Sequence, residues 1–134
     1  MLSQLCHLSR AQLPLLMLLS LLPLLVACAP DPAERIAGRI EALVELLESN
    51  KHDTDKLLEE LERFVTQEEG GFAKDLEEIE AMSEEKSEAL QIKHEKRLRS
   101  AVEKLMNVSV EIQDRLSSHP EKLSRFVSLM ARLH

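Results

Sequence analysis

Residues 72–117 read FAKDLEEIEAMSEEKSEALQIKHEKRLRSAVEKLMNVSVEIQDRLS, and this stretch decides the fold. Neither Gly nor Pro interrupts it, so no helix-breaking residue is present. Apolar residues recur at helical spacing near both ends, on either side of a mostly polar middle at 83–97. We therefore predict one continuous helix, about 69 Å long at a rise of about 1.5 Å per residue. A bend within 83–97 is the alternative.

Two shorter amphipathic helices are predicted before this long one. The first spans 32–49, with Asp31 as N-cap, Pro32 at the first helical position and Glu34 reaching back as in a capping box. The second starts at a cap provided by Asp53 or Thr54 and stops at Gly70–Gly71. Because these glycines form the one Gly pair in the chain, we expect a hinge at residues 70–71.

One more helix is predicted after the long one. Ser118 and Glu121 have the spacing of a capping box, and Pro120 falls in the first turn of the helix that they would start. The apolar residues that follow, as far as Leu133, keep the 3.6-residue period. No stretch has the alternation typical of a strand, so we expect an all-α domain over 32–134, built as an elongated helical hairpin or bundle of about four amphipathic helices.

Charge is distributed unevenly along the chain. Residues 29–90 carry 19 acidic and seven basic side chains, whereas residues 91–134 carry five acidic and nine basic ones. The resulting charges are −12 and +4. If the second part folds back on the first, antiparallel helices would pair opposite charges; the same layout would also let two chains associate head to tail.

Composition excludes several classes of function. The 134 residues include no Trp, no Tyr and three Phe, so there is no aromatic platform on which bases or sugars could stack. A net charge of −7 argues against nucleic-acid binding, which requires a basic surface. The two cysteines, Cys6 and Cys28, are too few for a disulfide framework.

Residues 1–27 differ sharply from the remainder. They include 12 Leu and only one charged residue, Arg10. A positive charge, an apolar stretch and then small residues are typical of a secretion signal, expected here as a helix that is later removed. An uncleaved membrane anchor is the alternative, although Pro14 and Pro23 would disturb a membrane helix.

The end of this segment, Leu25-Val26-Ala27-Cys28, resembles the lipobox of bacterial lipoproteins. The resemblance implies that the Cys28 thiol receives a diacylglyceryl group and that a peptidase cuts between Ala27 and Cys28. Residues 28–31 would then form a lipidated tether. Ala29, standing where inner-membrane retention requires Asp, implies outer-membrane localisation facing the periplasm. The resemblance covers about 28 residues and says nothing about the remaining chain.

Ordinary signal cleavage after Ala29 is a rival interpretation, because Ala27-Cys28-Ala29 fits the A-x-A pattern. That cut would place the rigid Pro30 directly after the scissile bond, where it generally blocks cleavage. We therefore favour lipidation of Cys28, since two or three acyl chains would hold the protein on a membrane.

The sequence contains no recognisable catalytic, cofactor-binding or metal-binding motif. His94-Glu95 begins like a zinc-protease motif, but Leu98 stands where the second His is required. The group His52-Asp53-Thr54-Asp55 offers possible ligands for a divalent cation, yet acidic residues at a helix start are expected for capping alone. We expect no enzyme activity, no cofactor and no small-molecule substrate.

Two functional hypotheses follow. The first is a membrane-anchored envelope lipoprotein of structural or protein-interaction type, which binds a protein partner or a second copy of itself through amphipathic helices. The second is a periplasmic chaperone-like or metal-sensing helical hairpin. Neither identifies the partner.

Overall fold

A computed structural model describes residues 29–133, and every regular element among them is an α-helix. Five helices follow one another: α1 (Pro32–Asn50), α2 (Thr54–Glu68), α3 (Gly71–Glu80), α4 (Glu84–Leu116) and α5 (Pro120–Ala131). The all-helical prediction is confirmed for this part of the chain, and α4, with 33 residues, is the one long helix. The predicted signal helix at 1–27 lies outside the described residues.

The first two helices begin where the sequence predicts. The Asp31 carboxylate accepts a hydrogen bond of 2.8 Å from the backbone N–H of Glu34, with Pro32 in the first turn. The Asp53 carboxylate accepts one of 3.1 Å from the N–H of Lys56. These side chains satisfy N–H groups that have no partner within a helix.

The prediction of one continuous helix over 72–117 is wrong. The chain leaves the helical path at 81–83, and Ser83, with φ −64° and ψ 150°, is the N-cap of α4. Both halves of the stretch contact the same helix, α1. A straight rod cannot bring both of its ends to one short helix, so packing requires a break that local propensity does not reveal.

The predicted capping box at Ser118 and Glu121 is also wrong. The N-cap of α5 is His119, whose side chain makes no capping hydrogen bond. Proline is favoured at the first helical position, which makes the residue directly before Pro120 the cap and leaves Ser118 one residue too early.

Four helices, α1, α2, α4 and α5, pack around a single apolar core. Two small residues of α1, Ala33 and Ala37, and Ala101 of α4 are buried as well. The core is formed by Leu43, Leu47, Leu57, Leu58, Leu61, Val65, Val108, Ile112, Leu116, Phe126 and Leu129. It contains no residue of α3.

Ion pairs show the helix directions. At the two ends of α1, Asp31 contacts His94 and Lys51 contacts Glu111, so α1 and α4 are parallel. Most of the pairs between the two halves join an acid of 29–90 to a base of 91–134, which confirms that folding pairs the opposite charges. The expectation that antiparallel helices would make these pairs is wrong, because the paired helices are parallel. The pairs between α2, or the residue after it, and α5 follow the same order along both helices; they are Asp55–Lys122, Glu62–Arg125 and Glu69–Arg132.

Helix α3 lies outside this core and continues the return path of the chain along α1. Helices α2 and α3 together are longer than α1, so α3 extends past Asp31 at the start of α1. Helix α4 therefore begins beyond Asp31 and reaches it only at His94. No residue between Glu84 and Lys93 is buried. We call α3 and the first ten residues of α4 the satellite hairpin.

Candidate functional site

The predicted modification residues Ala27 and Cys28 lie outside the described residues. The structure therefore leaves the lipidation of Cys28 and the cleavage after Ala27 as predictions. Within 29–133, no helix combines the length and the apolar character needed to cross a membrane.

Asp31, three residues after Cys28 in the sequence, is held by several partners. Besides capping α1, its carboxylate lies 2.9 Å from Nε2 of His94 and 3.1 Å from Nζ of Lys93. His94 is only 7% exposed and is one of two buried polar or charged residues in the described chain. The start of α1 is thus fixed to α4 by charged contacts.

The environment of Asp31 favours the ionised carboxylate. Burial alone would raise the pKa of Asp31, but hydrogen bonds from the Glu34 N–H, His94 and Lys93 outweigh it and lower the pKa to about 2 from 3.8. The carboxylate therefore stays charged at any pH near neutrality.

The second buried charged residue, Asp75 of α3, is 2% exposed and binds two arginines of α1. Its Oδ1 accepts a hydrogen bond of 2.9 Å from Nε of Arg35, and its Oδ2 accepts one from Arg39. The hydrogen bond that Arg35 donates to Asp75 is the main reason that the pKa of Arg35 is raised. Arg35 also pairs with Glu78, and Arg39 also pairs with Glu68. A buried carboxylate is tolerated here because both of its oxygens are paired with charged donors.

Arg39 also supports the start of α3. Its guanidinium carbon lies 5.8 Å from the centre of the Phe72 ring, within the range of a cation–π contact. A Cβ added at Gly71 would lie 3.0 Å from the same guanidinium, and Gly70 has a φ of 77°, which side chains other than glycine rarely adopt. The predicted Gly pair therefore forms a tight junction between α2 and α3. Whether it acts as a hinge stays a prediction.

Two neighbouring cavities lie beside α3. The first has a volume of about 350 Å³, is half open to solvent, and lies between α1, α3, α4 and the end of α5. Every residue that lines it is apolar: Ile40, Leu43, Phe72, Ala73, Leu76, Val102, Leu105, Met130 and Leu133. The second, of about 300 Å³, shares Leu76 with the first and is lined also by Leu90, Ser87 and Gln91. Leu76 is 52% exposed, so solvent reaches the junction of the two.

An apolar stripe runs along α4 from the edge of the first cavity. Val102, which also lines that cavity, is followed at four-residue spacing by Met106 and Val110, so the three lie on one side of the helix. They are 41%, 63% and 58% exposed, respectively. Exposed apolar side chains are common singly, but an aligned row is typical of a surface that contacts another molecule.

The side chains of the possible cation site at residues 52–55 have other partners. Nδ1 of His52 lies 3.2 Å from a guanidinium nitrogen of Arg115, Asp53 caps α2, and Asp55 pairs with Lys122. No group of three His, Cys, Asp or Glu side chains with metal-binding geometry occurs in residues 29–133.

Sequence reasoning did not anticipate the roles of Asp75 and His94. A signal for Asp75 is present, because it lies on the apolar stripe of α3, between Phe72 and Ile79. An acid on the packing face of a helix requires a cationic partner. No comparable local signal marks His94, which is buried because α4 passes beside Asp31.

Comparison with known proteins adds no relative. No family model matches the chain, and neither the curated proteins nor the solved structures yield a match. Function must therefore be argued from the residues themselves.

Proposed function

We propose that this protein is a lipid-anchored bacterial envelope protein, not an enzyme, which binds a protein partner through the exposed stripe of α4. Its anchor is the lipid on Cys28, which holds it in the outer membrane facing the periplasm. The observation that carries the binding role is the exposed row Val102, Met106 and Val110, of which Met106 and Val110 belong neither to the apolar core nor to the cavities beside α3.

The anchor is supported by the lipobox resemblance and by how the mature chain begins. Asp31 is the third residue after Cys28, so the two Cα atoms lie at most about 11 Å apart in an extended chain. A lipid on Cys28 would therefore keep the Asp31 end of the domain near the membrane surface. This end includes the satellite hairpin.

The binding role is supported by the shape and chemistry of α4. An amphipathic helix of a partner can lie along a row of side chains at four-residue spacing, as in a short helical pair. Arg99 and Glu95 form an exposed ion pair on the same helix, and such charged residues at the edge of a stripe favour one partner over another.

Metabolic labelling tests the anchor. A fatty-acid analogue supplied to a bacterial host should label the wild-type chain, and the Cys28→Ala variant should lose the label. The control is Cys6→Ala, which removes the other cysteine and should remain labelled. Label that persists in Cys28→Ala would overturn the lipid anchor.

Site-specific photocrosslinking tests the binding surface. A photoreactive residue at Val110 should capture one defined protein in the envelope, and a probe at Gln67, an exposed residue of α2, should not. Met106→Glu should abolish the adduct, because it places a charge in the stripe. A monomer that gives no adduct but suppresses aggregation of unfolded clients would instead support the chaperone-like hypothesis.

A further inference from the structure

Three cavities adjoin one another beside α3, and their lining changes from one to the next. The first cavity is lined only by apolar side chains, and the second adds Ser87 and Gln91. Leu90 of the second cavity also lines a third, more open one of about 310 Å³, together with Asp31, Lys86 and Lys93. Leu76 and Leu90 are the residues that neighbouring cavities share, and we call this row of three cavities the path; it runs from an apolar end to an end lined by charged side chains.

We propose that this path binds the hydrocarbon chain of an anionic amphiphile, with the chain in the apolar cavities and the head group near Lys86. No residue that lines the first cavity has a hydrogen-bonding side chain, so a polar ligand would lose its contacts with water there without compensation. A hydrocarbon chain makes no hydrogen bonds with water and therefore has none to lose. An apolar cavity of about 150 Å³ is enough to bind benzene, and the first cavity alone is more than twice that size.

Charge decides which end of the path receives the head group. Lys93 is paired with Asp31, whereas the Lys86 ammonium forms no salt bridge with any of the residues 29–133. An acidic head group at this end would give Lys86 a partner. Asp31 also lines this end, so the head group would lie close to the start of the domain.

The position of α3 favours a hydrocarbon chain over a partner helix. The first cavity is half open, and Phe72, Ala73 and Leu76 of α3 form part of its lining. An incoming helix, about 10 Å across, would have to displace α3 to reach the rest of the lining, and would break the pairs of Asp75. A single hydrocarbon chain is narrower and can enter beside Leu76, which is half exposed.

Photolabelling of the full chain in phospholipid vesicles tests the proposal. The two probes are a free fatty acid and a phosphatidylglycerol, each with a photoreactive group near the end of its chain. Adducts are expected on residues of the first cavity, such as Leu105 and Met130. Labelling by either probe supports the site and identifies the source of the chain, whereas labelling by neither, or only outside the cavities, would overturn it.

Two variants with the same change of chemistry separate this site from the α4 stripe. Leu76→Glu places a carboxylate where the first two cavities meet, and it should reduce labelling at least tenfold. Met106→Glu makes the same change at a residue that is 63% exposed and lines none of the three cavities, and it should leave labelling unchanged. Equal labelling in both variants, with the helical circular dichroism of each retained, would contradict the proposal.

The same pair distinguishes a failure here from a failure of the proposed protein interface. Met106→Glu should remove the protein adduct at Val110, and Leu76→Glu should not. The head group is tested with a probe whose acid is replaced by an alcohol. Lys86→Glu should weaken labelling by the acid probe severalfold and leave the alcohol probe unaffected; an equal effect on both probes would overturn the role of Lys86.

Discussion

The four-helix core and the satellite hairpin are held in place by different forces. In the core, eleven apolar side chains from α1, α2, α4 and α5 are removed from water. In α3 the one buried residue is an aspartate, and its apolar residues border partly open cavities. Burial of apolar surface stabilises any compact arrangement, whereas paired charges stabilise one geometry and depend on every partner.

This difference explains how one chain can combine a stable body with an accessible apolar cavity. A helix that buried Phe72, Leu76 and Ile79 completely would fill the space it now borders. Because Asp75 and the two arginines position α3 instead, those side chains stay available for a ligand. Local elements with few buried apolar contacts are the ones that open at low cost in free energy.

The largest effect is expected from a substitution in the core. Leu47→Ala removes a fully buried side chain of α1 and should lower the free energy of unfolding by about 2–5 kcal/mol. Leu76→Ala, the matched change in α3, should cost less than about 1 kcal/mol, because that side chain is already half exposed. Urea unfolding followed by circular dichroism measures both. Equal losses would erase the distinction between the two regions.

Removal of the buried carboxylate should have the next largest effect, and it should be local. Asp75→Ala leaves Arg35 and Arg39 without their shared partner and should destabilise α3 by about 2–3 kcal/mol. Proteolysis should then cut first near Gly70 or at 81–83, while the core resists. Glu77→Ala, at an exposed position of the same helix, is the control and should be cut like the wild type.

Acid should weaken the contact between the start of α1 and α4. Because the pKa of Asp31 is lowered to about 2 from 3.8, its stabilisation is complete above pH 3.8 and is lost as the pH falls towards 2. The loss should reach about 2 kcal/mol. Asp31→Asn should be less stable than the wild type at pH 6, and the gap between the two should narrow in acid. A constant gap from pH 6 to pH 2 would contradict the assignment.

The smallest effect is expected on the surface of α2. Arg63 pairs with Glu59 and Glu60 in full contact with solvent. Arg63→Ala should change the free energy of unfolding by about 0.5 kcal/mol or less, as measured by urea unfolding. A loss of unfolding free energy comparable to that of Asp75→Ala would mean that exposed ion pairs stabilise the protein as strongly as buried ones, and would contradict this expectation.

The parts of the fold that depend on local chemistry could be predicted from the sequence. Asp31 and Asp53 cap helices as expected, and Gly70–Gly71 separates two helices. The break at 81–83 could not be predicted in this way, because it arises where two parts of one stretch both pack on α1. Such an arrangement depends on the folded structure, and no Gly or Pro in the sequence indicates it.

The candidate site was less predictable than the fold. The apolar residues of the stripe on α4 recur at helical spacing. The cavities, in contrast, exist because the helices around Leu76 do not pack tightly against one another, and this depends on the folded structure. Arg39 and Arg35, the two partners of Asp75, precede it by 36 and 40 residues, so no local sequence pattern connects the aspartate to either arginine. The lipobox, in contrast, is read entirely from four adjacent residues and remains a prediction.

Charged pairs hold α3 beside the apolar cavity, whereas packing holds the core. Hydrogen–deuterium exchange of the full chain can distinguish the two. The backbone amides of α3 should open at a lower free energy than those of α1, and Asp75→Ala should accelerate exchange in α3 while leaving α1 unchanged. Equal protection of the two helices, or acceleration of both by Asp75→Ala, would contradict this distinction.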